Sequence, residues 1–212
     1  MPTQLPSPSK KPGSEVLNTV QPYAWWLAGG FAFVSLFLRF ADFLPENFAT
    51  FGALAFFCGL FLKGPGRWFV PMAVLFVADC IGHYQNVPGM GFYHVPSMVF
   101  NYVGFALFAS VGAGLGAWWN RSAKSPAAAL ASLPVGAVTG SFLFFVVSNF
   151  GAWLDPQMGY EKSASGLLQC YLMGLPFWRA TLASDLFFGI GFCVVAWSLS
   201  SWLARRTHQA TV

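Results

Sequence analysis

Charge is the first thing this sequence has little of. Only 8% of its 212 residues are Asp, Glu, Lys or Arg, roughly a third of the share in an average soluble domain. That is too little to clothe a water-facing surface, while hydrophobic residues make up 56% of the chain. A bilayer is the solvent that fits this balance. Catalytic signatures are missing too: there is no Gly-x-Ser-x-Gly, Gly-x-Gly-Asp or His-Glu-x-x-His motif, so no hydrolase or zinc-protease signature is present. The four cysteines, Cys58, Cys80, Cys170 and Cys193, form no Cys-x-x-Cys pair and lie in or beside apolar runs. They read as buried thiols and are silent about redox compartment. No sequence feature calls for a cofactor.

What is present is a regular series of apolar runs, from about residue 23 onward, with no hydrophilic insertion able to fold separately. The fold class expected is an all-α polytopic membrane helix bundle with a single transmembrane domain over 22–204. About six spans of helix are placed near 23–43, 48–62, 68–84, 97–119, 127–154 and 176–203. The second is short and follows a broken start through Pro45, Glu46 and Asn47. The stretch 163–175 is expected as an extra half-helix at the outer surface. Residues 1–21, rich in Pro, Ser and Lys, are expected to form a disordered cytoplasmic tail, and 205–212 a short basic one. A cleaved signal peptide is not indicated, because the first apolar run begins late and continues as a full span.

Orientation follows from the basic residues, which concentrate in short cytoplasmic loops. Lys10 and Lys11 precede the first span, Lys63 and Arg67 join the second and third, Arg121 and Lys124 the fourth and fifth, and Arg205 and Arg206 follow the last. These connections alternate, so they share one side, read as the cytoplasmic face of the inner membrane, with both termini inside. Trp25, Trp26, Trp68, Trp118, Trp119 and Trp202 fall at the same helix ends, where indoles form an interfacial belt.

The acids sort the other way. Apart from Glu15, they all fall in or near the outer half, where six of them (Asp42, Glu46, Asp79, Asp155, Glu161, Asp185) face three bases (Arg39, Lys162, Arg179). Such a mouth favours cations or neutral polar solutes. Charges inside a span are costly and face the protein interior, a partner or water. Arg39, Asp79, Arg179 and Asp185 are the intramembrane set, and they converge from three helices. The competing reading is that they only cross-link the bundle as ion pairs.

Several polar and aromatic positions surround that set. Asp79 and His83 are four residues apart on one helical face, a spacing that serves a hydrogen bond or a metal, although a metal would need further ligands such as His94. The loop 83–97 carries Gly, Pro and aromatics but no acid or base, the composition of a lid or of an ordinary connector. In Ser148-Asn149-Phe150-Gly151-Ala152-Trp153, Asn149 offers an amide, the rings offer flat apolar faces and Gly151 allows close backbone approach. Small residues four apart, Ala24, Ala28 and Ala32 in the first span and Gly112 and Gly116 in the fourth, mark helix-packing seams or a face for another subunit.

Four pieces resemble an uncharacterised family of small bacterial integral membrane proteins: the run Asn47-Phe48-Ala49-Thr50-Phe51-Gly52-Ala53-Leu54-Ala55-Phe56-Phe57, Asp79 followed by Gly82, the Ser148-to-Trp153 motif, and Gly166 through Cys170, Tyr171, Pro176 and Phe177 to Arg179, Thr181 and Asp185. That resemblance implies a fold and no reaction. More distantly, six helices with a polar outer mouth look like the S components of energy-coupling-factor transporters. This likeness implies ligand capture from outside and a coupling subunit docked on Ala24, Ala28 and Ala32.

The function expected is therefore a membrane component that binds a small solute at an outer pocket for uptake. Asp79, Asn149, Arg179 and Asp185 would contact or orient the ligand, Trp153 and Tyr171 would pack on it, and Arg39 would hold the acids in place. The alternatives are an intramembrane enzyme using Asp79 and Asp185, or a structural subunit whose charges serve packing. Nucleic-acid binding is not indicated, since topology accounts for the basic residues.

Overall fold

A computed structural model describes residues 14–41, 48–87, 91–92 and 94–210. Among these residues every regular element is helical. In chain order they are α1 (Ser14–Val20), α2 (Ala24–Arg39), α3 (Phe51–Phe61), α4 (Gly66–Tyr84), α5 (Val95–Ser122), α6 (Pro126–Ala131), α7 (Leu133–Leu154) and α8 (Ala164–Ala210). Three helical stretches are long and apolar enough to cross a membrane: Val95–Ser122, Pro126–Leu154 and Ala164–Thr207. The chain is a membrane protein, and its outer surface fits that solvent: Trp26, Phe33, Phe69 and Phe187 are each more than two-thirds exposed.

The core is organised around α3. Every one of its residues is buried, as expected of a helix that is apolar on all sides. Glycines let it sit directly on α5: a Cβ at Gly59 would overlap the Ala109 carbonyl, and one at Gly112 the Phe56 carbonyl, with Gly116 beside Leu60. The seam at Gly112 and Gly116 thus serves packing within the chain. α7 covers the other side of α5, and α8 closes on α7 and α3.

Four expectations change. The small-residue face of α2 is not available to a coupling subunit, because Ala24 and Ala28 are at most 1% exposed and Ala32 packs against the core. The stretch 163–175 is no separate half-helix: α8 runs unbroken from Ala164 through Pro176 to Ala210. Residues 14–20 are helical, not disordered, because Val16, Leu17 and Val20 form one apolar face that docks into the core; the rest of the tail, 1–13, lies outside the described residues. Finally, Trp119 is fully buried, its indole N–H donating to Ser132 Oγ at 2.9 Å, so it belongs to the core and not to the rim. The expected broken start at Pro45, Glu46 and Asn47 also lies outside the described residues.

A candidate functional site at the non-basic end

The half-length of α3 creates the site. Its 11 residues rise about 16 Å, half of a hydrocarbon core of about 30 Å. Its first residue, Phe51, lies against Phe105 of α5 with ring centroids 6.2 Å apart, and Phe105 is ten residues inside the start of α5. About 15 Å of α5 therefore extends beyond α3 toward the end opposite Lys63, Arg67, Arg121 and Arg205. At that end, above the start of α3, lies a cavity of about 420 Å³, within the size range of small-molecule sites.

Aromatic rings form part of its wall, with Phe105, Phe108, Phe144, Phe145, Phe177 and Trp178 contributing. Phe105 and Phe144 lie 4.5 Å apart, and Trp178 stacks on Phe145 at 5.1 Å. These pairs hold the rings in fixed orientations. The Trp178 indole N–H is buried without an acceptor.

Asn101, Ser148 and Thr181 line the cavity, and three further sets of polar groups stand out. Asp79 of α4 accepts a 2.8 Å hydrogen bond from the Tyr102 hydroxyl and another from the Gly91 backbone N–H. Arg39 at the end of α2 interacts with Asp79 electrostatically without forming a direct ion pair among the described residues. Asn149 of α7 donates to the Phe145 carbonyl at 2.8 Å, and its side chain rests on Gly174 of α8, where a Cβ would collide with it.

Asp185 of α8 forms the third set, at the cavity floor. It is 1% exposed, and neither carboxylate oxygen has a hydrogen-bond partner. Ser141 of α7 lies beside it, yet the Ser141 hydroxyl is also buried without a well-formed hydrogen bond. Gly52 makes room for the carboxylate, since a Cβ there would overlap Asp185 Oδ1.

At the rim, Asp155 ties the end of α7 to the start of α5. One of its oxygens accepts from Ser97 Oγ at 2.9 Å and meets His94 Nδ1 at 3.2 Å, while the other accepts the Gln157 backbone N–H at 3.0 Å. Burial alone would raise its pKa, but these hydrogen bonds and the adjacent imidazole outweigh it and hold the carboxyl below its ordinary value of 3.8.

Of the residues singled out in the sequence, Arg39, Asp79, Asn149 and Asp185 line this one cavity. Three others lie outside its lining. Trp153 faces the following turn, its indole N–H donating to the Glu161 carbonyl at 2.8 Å and its ring beside Lys162. Tyr171 donates to the Val146 carbonyl at 2.9 Å and tightens the α7–α8 contact. Arg179 is exposed. Of the loop expected as a lid, Gly91 and His94 line the cavity, while residues 88–90 and 93 lie outside the described residues. His83 sits exposed against Phe92. Among the described residues no three His, Cys, Asp or Glu side chains gather as metal ligands.

Sequence reading missed Tyr102, Ser141, Trp178 and the phenylalanine wall. Tyr102 carried a signal, a phenol inside an apolar run at the level of Asp79. Ser141 and the phenylalanines carried none, because such residues also face lipid or pack between helices.

A family model described as a family of unknown function (DUF6580) matches residues 20–208. No curated protein and no solved structure matches the chain.

Proposed function

The chain belongs to this family of unknown function, so membership supplies no activity, and we propose from the cavity itself that the protein captures a small solute from the outer side of the cell inner membrane for uptake. In this reading the chain crosses the membrane about six times, as its apolar runs indicate. Both termini are cytoplasmic, because the basic connections alternate along the chain. One observation carries the proposal: four polar side chains from four helices, Arg39, Asp79, Asn149 and Asp185, converge among aromatic rings on a cavity of about 420 Å³. Convergent polar groups in an aromatic pocket are the anatomy of a ligand site.

The position of the cavity adds support. The lining residues on α2, α4, α5, α7 and α8 come from the middle of the helix or the half away from the basic connections. The cytoplasmic half of the bundle is filled by α3, whose residues are all buried, so capture from one side suits it better than a continuous pore. An energy source would have to come from a partner, and with Ala24 and Ala28 covered it would dock elsewhere than on that stripe. A purely structural subunit would keep its buried charges paired; Asp185, without a partner, argues against that.

The test is mass spectrometry of small molecules retained on the purified protein, comparing wild type with Ser148→Trp, which fills the cavity from α7. A solute present on the wild type and lost from the variant is expected. Identical profiles, with no compound stabilising the wild type in a thermal-shift panel, would overturn the proposal.

A further inference from the structure

Resting on that reading, we propose that the solute is a small organic monocation whose ammonium group sits on Asp185 while its apolar body lies against the aromatic wall. The charge balance of the cavity leads there. Among the described residues its charged lining is one base, Arg39, and two acids, Asp79 and Asp185. Arg39 and Asp79 offset one another electrostatically, and Asp79 is further held by Tyr102 and Gly91. The acid left over is Asp185.

That carboxyl group is almost completely buried and lines the cavity, and among the described residues only Ser141 Oγ lies beside it, with no well-formed hydrogen bond to either oxygen. A buried acceptor without a donor costs free energy, and a buried acid ionises only beside a counter-charge, holding its proton when it has none. The first turn of α3 presents only a partial positive charge to it and donates no hydrogen bond to its oxygens. Ser141 Oγ, also unpartnered, adds a second polar atom at the same point. An ammonium group supplies what both lack, a positive charge and several donors. Around it the rings of Phe108, Phe145, Phe177 and Trp178 offer faces to a cation and to the hydrocarbon that carries it. An anion would meet that acid, while the base of the cavity, Arg39, is already offset by Asp79.

The experiment uses charged thiol reagents on the full-length protein in membrane vesicles. Thr181 lines the cavity one helical turn before Asp185, about 6 Å away on the same face. Thr181→Cys is treated with cationic trimethylammonioethyl methanethiosulfonate or anionic sulfonatoethyl methanethiosulfonate. Modification is read at that cysteine by peptide mass spectrometry, so the native cysteines stay in place. Relative to a free thiol, the cation is expected to react on the order of tenfold faster or more. Asp185→Asn added to Thr181→Cys should bring the two reagents close together, and Asp185→Glu should restore the preference. With Asp185 intact, benzylammonium should protect the cysteine where benzyl alcohol does not, which keeps the idea testable even if the asparagine variant fails to fold. If both reagents react with a ratio indifferent to Asp185, or benzyl alcohol protects equally, the cationic class is wrong while the pocket stands. If neither reagent reaches the cysteine, solute capture itself is overturned.

Discussion

Asp185→Asn should make the solute-free protein more stable, an uncommon result for a change at a fully buried position. In the native chain both carboxylate oxygens and the neighbouring Ser141 Oγ are buried without hydrogen-bond partners. Unsatisfied buried polar groups cost roughly 1–3 kcal/mol each, more when charged. The amide is almost the same shape, so it neither opens a cavity nor crowds Gly52. It cannot ionise in this buried place and can donate from its NH2 to Ser141 Oγ. A net gain of about 1–3 kcal/mol follows, and at about 2–4 °C per kcal/mol for a chain of this size the unfolding midpoint should rise on the order of 5 °C. Scanning fluorimetry of the detergent-purified protein reads this directly, the tryptophans being the probe. Unfolding in detergent is commonly irreversible, so both proteins are compared at one scan rate. A fall of several degrees would refute the reasoning: it would mean that Asp185 holds the bundle together, and a group kept for stability needs no ligand to explain it.

Three further outcomes follow from the geometry. Gly59→Val should unfold or fail to accumulate, since even the first side-chain carbon overlaps the Ala109 carbonyl, whereas Gly114→Ala, with nothing within 4 Å, should express and melt like wild type; fluorescence-detected size exclusion separates them. Tyr102→Phe removes the 2.8 Å hydrogen bond to Asp79 and should cost roughly 1.5–3 kcal/mol, the range for a bond to a charged group, read as a lower thermal midpoint. Because the Asp155 carboxyl is held below 3.8 in the folded chain, the unfolded chain binds more protons in acid. The stability it contributes is complete above the ordinary carboxylate range and is lost as pH falls through the lower folded value. Asp155→Asn should therefore lower stability at pH 7 and flatten the acid limb below about pH 4, measured as midpoint against pH; an unchanged acid limb would contradict the assignment.

How much of this was legible beforehand depends on what lipid does to sequence patterns. Scarcity of charge and the spacing of apolar runs determine a membrane-embedded all-helical chain, because backbone polar groups in hydrocarbon must be satisfied within the helix. The same physics made Arg39, Asp79 and Asp185 stand out, since a charge is expensive anywhere in a span, and they line one cavity. Arg179 was marked by the same rule, yet it is exposed: cost alone does not tell an inward arginine from one on the outer face.

Only the tertiary structure decided which apolar faces look inward. In water, hydrophobic periodicity names the buried side of a helix, but in a bilayer the lipid-facing and core-facing sides are equally apolar. Phe187 and Phe108 are therefore indistinguishable in sequence, although one is 68% exposed and the other 1%. For the same reason the burial of Ala24, Ala28 and Trp119 and the docking of Val16 and Val20 depended on neighbours distant in the chain. Residues 51–61 could be read as a short apolar helix. That their helix lies level with the inner part of α5, leaving a cavity beyond its first turn with Asp185 unpartnered at the floor, came from glycine contacts between α3 and α5 that no local pattern encodes.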